Sequence, residues 1–245
     1  MPIGIIVAVL DIALIVHAAK TGRFMPWGFI ILFLPGIGAL AYVVVELLPE
    51  WFGSTRVRRT RQQIAGAMDP TGRYRQLQEE LEIVDTIANR SALAGECLTL
   101  GKYDEALAQY DAILAKPLGE EPGFMLGRAR AEYGVGDARA ALATLDELER
   151  RWPDYRSADG HLLYAMALER EGRNDEALAG YAAVGQYFPG AEPRVRQAQL
   201  LQRLGRDGEA RALAEDVVRT LGRAPAHVRK SQRQWLASAQ KLARS

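Results

Sequence analysis

The sequence predicts an all-α protein in which a pair of membrane-spanning helices precedes an α-solenoid. Two observations carry this prediction. The first fifty residues are almost free of charge, while nearly every ionisable residue follows Trp51. Beyond that point, a glycine followed five residues later by an alanine recurs four times at nearly constant spacing. The two halves are therefore suited to different surroundings, one apolar and one aqueous.

Bulk composition narrows the classes of function. The chain has 245 residues, of which 25% are charged, as in an ordinary globular protein. Its formal net charge of +1 gives no reason to expect nucleic acid as a partner, because that requires a clearly basic face with a matching motif. Cys97 is the single cysteine, so no intramolecular disulfide can form. Its place on the apolar side of a predicted helix favours a core role over a nucleophilic one.

Two apolar runs near the N-terminus predict a transmembrane hairpin. Residues 3–19 and 25–48 are each long enough to cross a bilayer as a helix, and the turn KTGRF joins them. A cleaved signal peptide is the alternative, but the start carries no basic residue and a second apolar run follows. The basic cluster RVRRTR after the second run favours a cytoplasmic location for both termini.

Charged residues beside and within these runs have functional interpretations. The arginines of the basic cluster are candidate contacts for anionic lipid headgroups, with a topology signal as the alternative. They are Arg56, Arg58, Arg59 and Arg61. Asp11 lies midway along the first run, where a charge is costly and indicates a functional role. The alternatives for Asp11 are a protonated carboxyl group or a shallow position in the bilayer.

The second apolar run contains the stretch WGFIILFLPGIGALAY, with an aromatic residue, an apolar segment, Pro35, Gly38 and Tyr42 in that order. In this order it resembles the two-span N-terminal membrane domain of cardiolipin synthases of the phospholipase D superfamily. The resemblance covers residues 1–50 and implies a membrane anchor associated with phospholipid metabolism. It does not include the catalytic domain. Phospholipase D chemistry needs a histidine with a lysine two positions later, and none of the three histidines has one.

The second half of the chain repeats a unit four times. Successive turn glycines are 35, 36 and 33 residues apart, and such a period indicates stacked helix-turn-helix units. The glycines and the alanines that follow them are Gly101 and Ala106, Gly136 and Ala141, Gly172 and Ala177, and Gly205 and Ala210. A further alanine lies seven residues before each glycine, at Ala94, Ala129, Ala165 and Ala198. In these positions the chain resembles the tetratricopeptide repeat (TPR).

The predicted domain order follows from these elements. Residues 1–50 form the two-span anchor, 51–87 a basic juxtamembrane linker and capping helix, 88–222 about four repeats, and 223–245 a C-terminal capping helix. Caps are expected because the end units of a solenoid would otherwise expose apolar faces.

Apolar residues at helical spacing identify the two caps. The first cap is predicted from Leu77, Leu81 and Val84. The second is predicted as one helix starting near Pro225, with Val228, Trp235, Ala239 and Leu242 on its apolar side. The basic residues on the other side of this last helix indicate a solvated face, with a membrane-surface role as the alternative.

In stacked units of this kind, the first helices line a concave groove, which we expect to bind a protein or peptide partner. By the register of the repeat, the groove presents Ser91, Leu126, Arg130, Tyr133, Leu162, Met166, Gln199, Gln202 and Arg203. This mixture of apolar, aromatic and arginine side chains suits a protein partner. Some TPR proteins bind the terminal carboxylate of chaperones through a lysine and an asparagine, but Ser91 and Gly95 occupy those places here.

No catalytic, cofactor or metal site is expected. His161 opens the first helix of the third unit, with Ser157 or Asp159 as its cap, and no second histidine lies nearby in the sequence. The sequence therefore predicts a non-enzymatic TPR scaffold, anchored in a bacterial-type inner membrane and facing the cytoplasm. Its partner is an unidentified protein or peptide rather than nucleic acid or a small-molecule substrate. The alternative is a non-catalytic accessory or regulatory subunit in phospholipid metabolism.

Overall fold

The computed structural model describes residues 71–244 and seven separate residues before them: Asp11, Leu14, Ile15, Lys20, Ile30, Phe33 and Ala41. The rest of the predicted hairpin, the linker before residue 71 and the arginine cluster lie outside the described residues. The chain divides into two compact units, 1–72 and 73–245. In the part that the structure describes, no helix is both long enough and apolar enough to cross a membrane.

The described part of the second unit is entirely α-helical, in agreement with the predicted solenoid. Its helices are α1 (Gly72–Ile83), α2 (Ile87–Thr99), α3 (Tyr103–Leu114), α4 (Pro122–Val135), α5 (Ala138–Arg151), α6 (Ala158–Arg170), α7 (Asn174–Val184), α8 (Glu192–Arg203), α9 (Asp207–Gly222), α10 (Ala226–Ser231) and α11 (Arg233–Leu242). From α2 to α9, each helix packs against the next one along the chain.

Four tight turns join the helices of successive pairs. Each turn contains a glycine with φ between 72° and 102°, a conformation that only glycine adopts without strain. The residue after each glycine donates its backbone N–H to the carbonyl five residues earlier, at 2.9 to 3.0 Å, which satisfies a carbonyl that the helix end leaves free. These glycines are the ones that the repeat aligns: Gly101, Gly136, Gly172 and Gly205.

Small side chains allow the two helices of each pair to approach closely. The eight aligned alanines are all buried, with at most 2% of their surface exposed. Glycines extend this arrangement between units in a way that the repeat alignment did not predict. A Cβ atom at Gly127 of α4 would lie 2.3 Å from the ring of Tyr110, and one at Gly134 would lie 2.2 Å from the ring of Tyr103. The two tyrosine rings of α3 therefore pack directly on the backbone of the next unit.

The buried side chains of the solenoid form adjoining clusters along its length. Tyr181 and Ile113 are the largest fully enclosed residues. Cys97 is also fully buried, and burial raises the pKa of its thiol to about 11. A thiol with so high a pKa is protonated at neutral pH. The complete burial of Cys97 confirms its predicted place in the core.

Both ends of the solenoid differ in part from the prediction. At the first end, α1 buries Tyr74 and Leu77 in the cluster that includes Ala94 and Cys97, and Leu81 is partly buried there. Val84 does not join them, because α1 ends at Ile83 and Val84 is 52% exposed. The predicted capping stripe therefore stops one turn earlier than expected.

At the second end, the predicted single helix is two helices, α10 and α11, that meet at Gln232. The side-chain oxygen of Gln232 accepts a hydrogen bond from the backbone N–H of Ala191, at 3.1 Å. This contact ties the break to the start of α8. Ala239 and Leu242 of α11 are buried against α8 and α9, whereas Val228 lies on the separate short helix α10.

Candidate partner-binding groove

A cleft of about 380 Å³ opens between α6 and α8, the first helices of the third and fourth pairs. Tyr133 at the end of α4 and residues of α7 complete its walls. Three residues of the cleft, Tyr133, Met166 and Arg203, belong to the predicted groove. The repeat register did not select its other principal lining residues, which are Glu169, Arg170, Asn174, Arg196, Leu200 and Leu204.

Arg170 and Tyr133 form the aromatic wall of the cleft. The guanidinium carbon of Arg170 lies 3.8 Å from the centroid of the Tyr133 ring, and the guanidinium donates a hydrogen bond to the Tyr133 carbonyl. Among the described residues, no carboxylate lies within 4.0 Å of Arg170. The stacking contact holds the charged group in place without neutralising it. Arg170 is therefore a pre-positioned donor for an acceptor on another molecule.

Glu169 organises the floor of the cleft. Its carboxylate accepts a hydrogen bond from the hydroxyl of Tyr181 and pairs with the guanidinium of Arg203. Burial, followed by the hydrogen bond to Glu169, raises the pKa of Tyr181 well above its ordinary value. The hydroxyl therefore remains a donor at all physiological pH values. This network fixes Arg203 at the edge of the cleft and links it to the buried core.

Two of the predicted groove residues belong to the core instead. Leu126 is 5% exposed and Leu162 is 6% exposed, so neither can contact a partner. Neighbouring helices cover these positions: Leu126 lies in one cluster with Leu163 of α6, and Leu162 lies in another with Leu200 of α8. The repeat register places both leucines on a first helix, but the packing of adjacent units decides which of its residues remain open.

The other four predicted residues lie away from the cleft. Ser91 is partly exposed on α2, and Arg130 pairs with Asp159 at 3.0 Å. Gln199 and Gln202 line a separate depression of about 250 Å³ beside α11. The nine predicted residues therefore do not form one continuous surface, and the cleft between α6 and α8 is the candidate site.

His161 lines a second cleft of about 330 Å³ between α5 and α7. The walls of this second cleft are mainly apolar and aromatic. The Nδ1 atom of His161 shares a hydrogen bond with the hydroxyl of Tyr187, and the two rings meet edge to face. Ser157 rather than Asp159 caps α6, since its hydroxyl accepts the N–H of Gly160 at 3.0 Å. Among the described residues, no group of histidine, cysteine and carboxylate side chains could hold a metal ion.

Comparisons with known proteins bear on the fold. No protein-family model matches the chain. No curated protein matches it either. Solved structures do match it. TTC0263, a thermophilic TPR protein in Thermus thermophilus, is similar at a TM-score of 0.52 and 23% sequence identity, over 73% of this chain and 96% of that one. MamA MSR-1 C2 is similar at a TM-score of 0.44 and 14% identity, over 64% of this chain and 97% of that one.

The comparison with TTC0263 defines the class of protein at the level of fold. The helix pairs, the left-handed turn glycines and the buried alanines agree with it. The second unit therefore has the fold of a TPR-type α-solenoid. At 23% identity the likeness concerns the fold alone.

Proposed function

We propose that the protein is a membrane-anchored scaffold that binds an extended peptide or a helix of a partner protein in the cleft between α6 and α8. One observation carries this proposal. Arg170 is stacked on Tyr133, without a carboxylate partner among the described residues, beside the partly exposed Met166 and the exposed Leu204. A pre-positioned arginine and an aromatic ring next to apolar surface form the combination that dominates binding energy at protein interfaces.

The size of the cleft supports a peptide anchor as its occupant. A volume of about 380 Å³ is at the low end of ligand pockets and fits one or two side chains. Leu204 at its rim is 40% exposed and offers apolar surface to a partner. Helical-repeat proteins bind extended peptides or partner helices along such surfaces. Arg170 would then pair with a carboxylate or a backbone carbonyl of the bound segment.

The membrane anchor belongs to the same proposal and rests mainly on the sequence. The first fifty residues contain two apolar runs with few charges. Phe33, one of the described residues in the second run, is helical and 77% exposed. A helical phenylalanine so exposed is suited to apolar surroundings. The arginine cluster after the second run supports the cytoplasmic face of the inner membrane as the location of the solenoid, with both termini on that side.

Two further predictions from the sequence concern phospholipid metabolism and enzymatic activity. An accessory role in phospholipid metabolism rests on the resemblance of residues 1–50 to the anchor of cardiolipin synthases, and a changed lipid profile after deletion of the gene would support it. The prediction that the chain is not an enzyme would be contradicted by substrate turnover with the purified protein.

Photo-crosslinking in native membranes tests the scaffold proposal. The full-length protein carries a photoreactive residue at Leu204, at the rim of the cleft, or at Val135, which lines a separate depression beside Tyr103. The two residues are each 40% exposed, so their access to solvent is matched. We expect a discrete adduct from position 204 and none from position 135. The mass spectrum of the adduct then identifies the partner.

A second pair of variants separates specific from chance contact. Arg170→Gln removes the pre-positioned donor of the cleft, whereas Arg139→Gln removes a highly exposed arginine elsewhere, whose side chain is 88% exposed. We expect Arg170→Gln to lower the yield of the adduct by about tenfold, as for the loss of one interface arginine. Equal yields from both variants, or adducts from both probe positions, would remove the cleft as the binding site.

A further inference from the structure

The C-terminal end of the chain has an unusual charge composition. Residues 217–245 contain no aspartate or glutamate, although they include seven arginines and lysines. The last acidic residue, Asp216, pairs with Arg219 at 2.9 Å. Six basic residues follow without a carboxylate nearby in the sequence. We call them the terminal basic patch: Arg223, Arg229, Lys230, Arg233, Lys241 and Arg244.

All six residues of the terminal basic patch are exposed. Within the part of the chain that the structure describes, none of them forms an ion pair with a carboxylate. Arg229 donates a hydrogen bond to the carbonyl of Ala224, which orders its side chain but does not neutralise it. The patch therefore concentrates positive potential at one end of a chain whose formal net charge is only +1.

The apolar side of α11 faces the protein and is not available to another molecule. Ala239 is fully buried and Leu242 is 6% exposed. Trp235 packs against the same cluster, and the guanidinium of Arg196 lies 5.4 Å from its ring centroid. At about 3.6 residues per turn, Arg233 falls on the opposite face of α11. The basic residues of α11 therefore lie on a face that is separate from its apolar side, which the protein covers.

Three kinds of polyanion carry the complementary charge: a membrane surface, a nucleic acid and an acidic protein. Among the described residues of the patch region there is no exposed tyrosine, phenylalanine or tryptophan on which bases could stack, since Trp235 packs against the core, and the region lacks a nucleic-acid-binding motif. Its cations are spread over α10, α11 and the loop before them, which suits an extended surface better than a single acidic side chain. The sequence also supplies a reason for lipid to be near, namely the apolar runs of residues 1–50.

We propose that the terminal basic patch docks on the headgroups of anionic phospholipids and provides a second contact between the solenoid and the membrane. The proposal rests on the proposed membrane anchor for the proximity of lipid. A basic residue near an anionic surface strengthens binding about five-fold. Tethering through the anchor raises the effective concentration of lipid, so several such weak contacts are sufficient. The contact is electrostatic, and salt weakens it.

Lysine labelling of the full-length protein tests the docking. The protein is reconstituted into vesicles of phosphatidylcholine alone or of phosphatidylcholine with phosphatidylglycerol, and an amine-reactive reagent is added. We expect labelling of Lys230 and Lys241 to fall several-fold in the anionic vesicles and to recover at high salt. Lys102 and Lys116, which pair with carboxylates within the solenoid, serve as internal controls that do not change. Equal labelling of the patch in both lipids overturns the proposal.

Two variants that lose equal charge distinguish the effect of the terminal basic patch on lipid binding from the effect of net charge. One variant carries R229Q, K230Q, R233Q and K241Q, and the control carries R139Q, R150Q, R173Q and R206Q, whose arginines are paired with glutamates. Both variants lose the same charge. We expect the patch variant alone to lose the salt-sensitive contact, with affinity for anionic vesicles reduced on the order of a hundredfold. Equal losses in both variants would show that net charge, not the patch, is responsible.

Flotation distinguishes failure of this inference from failure of the proposed anchor. Full-length protein that does not float with neutral vesicles contradicts the anchor. Salt-sensitive flotation with anionic vesicles then still supports the patch, and its absence overturns it. Protection of Lys230 and Lys241 by DNA or by polyglutamate, but not by phosphatidylglycerol, would assign the patch to a nucleic acid or to an acidic protein instead.

Discussion

The body of the solenoid, residues 73–219, and its C-terminal end, residues 220–244, use basic residues in opposite ways. Most arginines and lysines of the body pair with a carboxylate within 4.0 Å. Among the described residues of the C-terminal end, the six basic residues have no such pair. The body neutralises its own charge, whereas the C-terminal end leaves its charge for another molecule.

A recurring pair explains part of this difference. In three of the four units, the basic residue after the turn glycine pairs with a glutamate three positions later: Lys102 with Glu105, Arg173 with Glu176, and Arg206 with Glu209. The pair spans the first turn of the second helix, where the glutamate also faces the positive end of the helix dipole. In these three units, a charge pair of the body thus supports the start of the helix after the turn. The C-terminal end has no such turn, so its basic residues have no equivalent partner.

The largest effect is expected where the body is most tightly packed. Tyr181→Ala removes a fully buried ring that also donates a hydrogen bond to Glu169. We expect it to lower the free energy of unfolding by about 3 to 5 kcal/mol, as for other buried aromatic residues. Tyr187→Ala is the matched control, because Tyr187 is 54% exposed, and it should have a much smaller effect. Urea denaturation followed by circular dichroism measures both, and similar losses would contradict the assignment of Tyr181 to the core.

The next largest loss of stability is expected at the turn glycines. Gly172 has a φ of 76°, and Gly172→Ala should cost about 1 to 2 kcal/mol because an alanine is strained there. Gly208 lies near the start of α9, where an added Cβ meets no atom within 4 Å. Gly208→Ala should therefore stabilise the protein, by about 0.4 to 1 kcal/mol, through the unfolded state. Opposite shifts of the melting temperature are expected, and a Gly172→Ala variant that melts no lower than wild type would mean that the left-handed turn is not required.

Within the body, the buried carboxylate of Glu132 should make stability depend on pH in a different way from an exposed, paired glutamate. Burial raises the pKa of Glu132, although the Nε atom of Arg128 lies 3.0 Å from its Oε1 atom. A folded-state pKa above the unfolded one means that the stabilising contribution of Glu132 is present below its ordinary pKa of 4.5 and is lost as the pH rises through the folded value. Glu132→Gln should therefore gain stability relative to wild type as the pH rises from about 4 to neutral.

The control for this pH dependence has the opposite sign. Arg173 lowers the pKa of the exposed Glu176, so the contribution of Glu176 is present above its ordinary pKa and is lost as the pH falls through the folded value. Glu176→Gln should accordingly lose stability relative to wild type as the pH rises. Melting temperatures of wild type and of both variants, measured across the pH series, test these opposite trends. Parallel curves for the two variants would contradict the burial of Glu132.

The smallest effect is expected at the C-terminal end. Lys230→Gln removes a cation that makes no ion pair among the described residues, so the melting temperature should not change. Arg173→Gln removes a paired cation of the body and should lower the melting temperature slightly, since exposed ion pairs contribute little. A clear loss of stability in Lys230→Gln would break the comparison, because it would show that the fold uses the charge of the patch.

Several features of the fold followed from local sequence signals. The glycine and alanine spacing predicted the helix pairs, and the structure places every aligned glycine in the left-handed region and every aligned alanine in the core. These positions are predictable because each one depends on contacts within a single repeat. The break at Gln232 was not predictable in this way, because it depends on a hydrogen bond to Ala191, which is distant in the sequence.

The candidate site was predicted only in part. Tyr133, Met166 and Arg203 were selected from the register and do line the cleft. Arg170 was missed, although an arginine in the last turn of the same helix as Met166 could have suggested it. Leu126 and Leu162 were selected but are covered by neighbouring helices. A repeat register shows which side of a helix faces its own partner helix, but it does not show how far the next unit covers the remainder.

By itself, the sequence determined the repeat, its turn glycines and the helix pairs, because steric demands at φ above zero and at close helix contacts permit few residue types. It also determined the charge asymmetry of the C-terminal end, which is a property of composition. Only the tertiary structure decided which helix residues remain exposed, how Arg170 stacks on Tyr133, and that the apolar side of α11 is covered. These features depend on packing between units that are distant in the sequence, and local periodicity carries no information about such contacts.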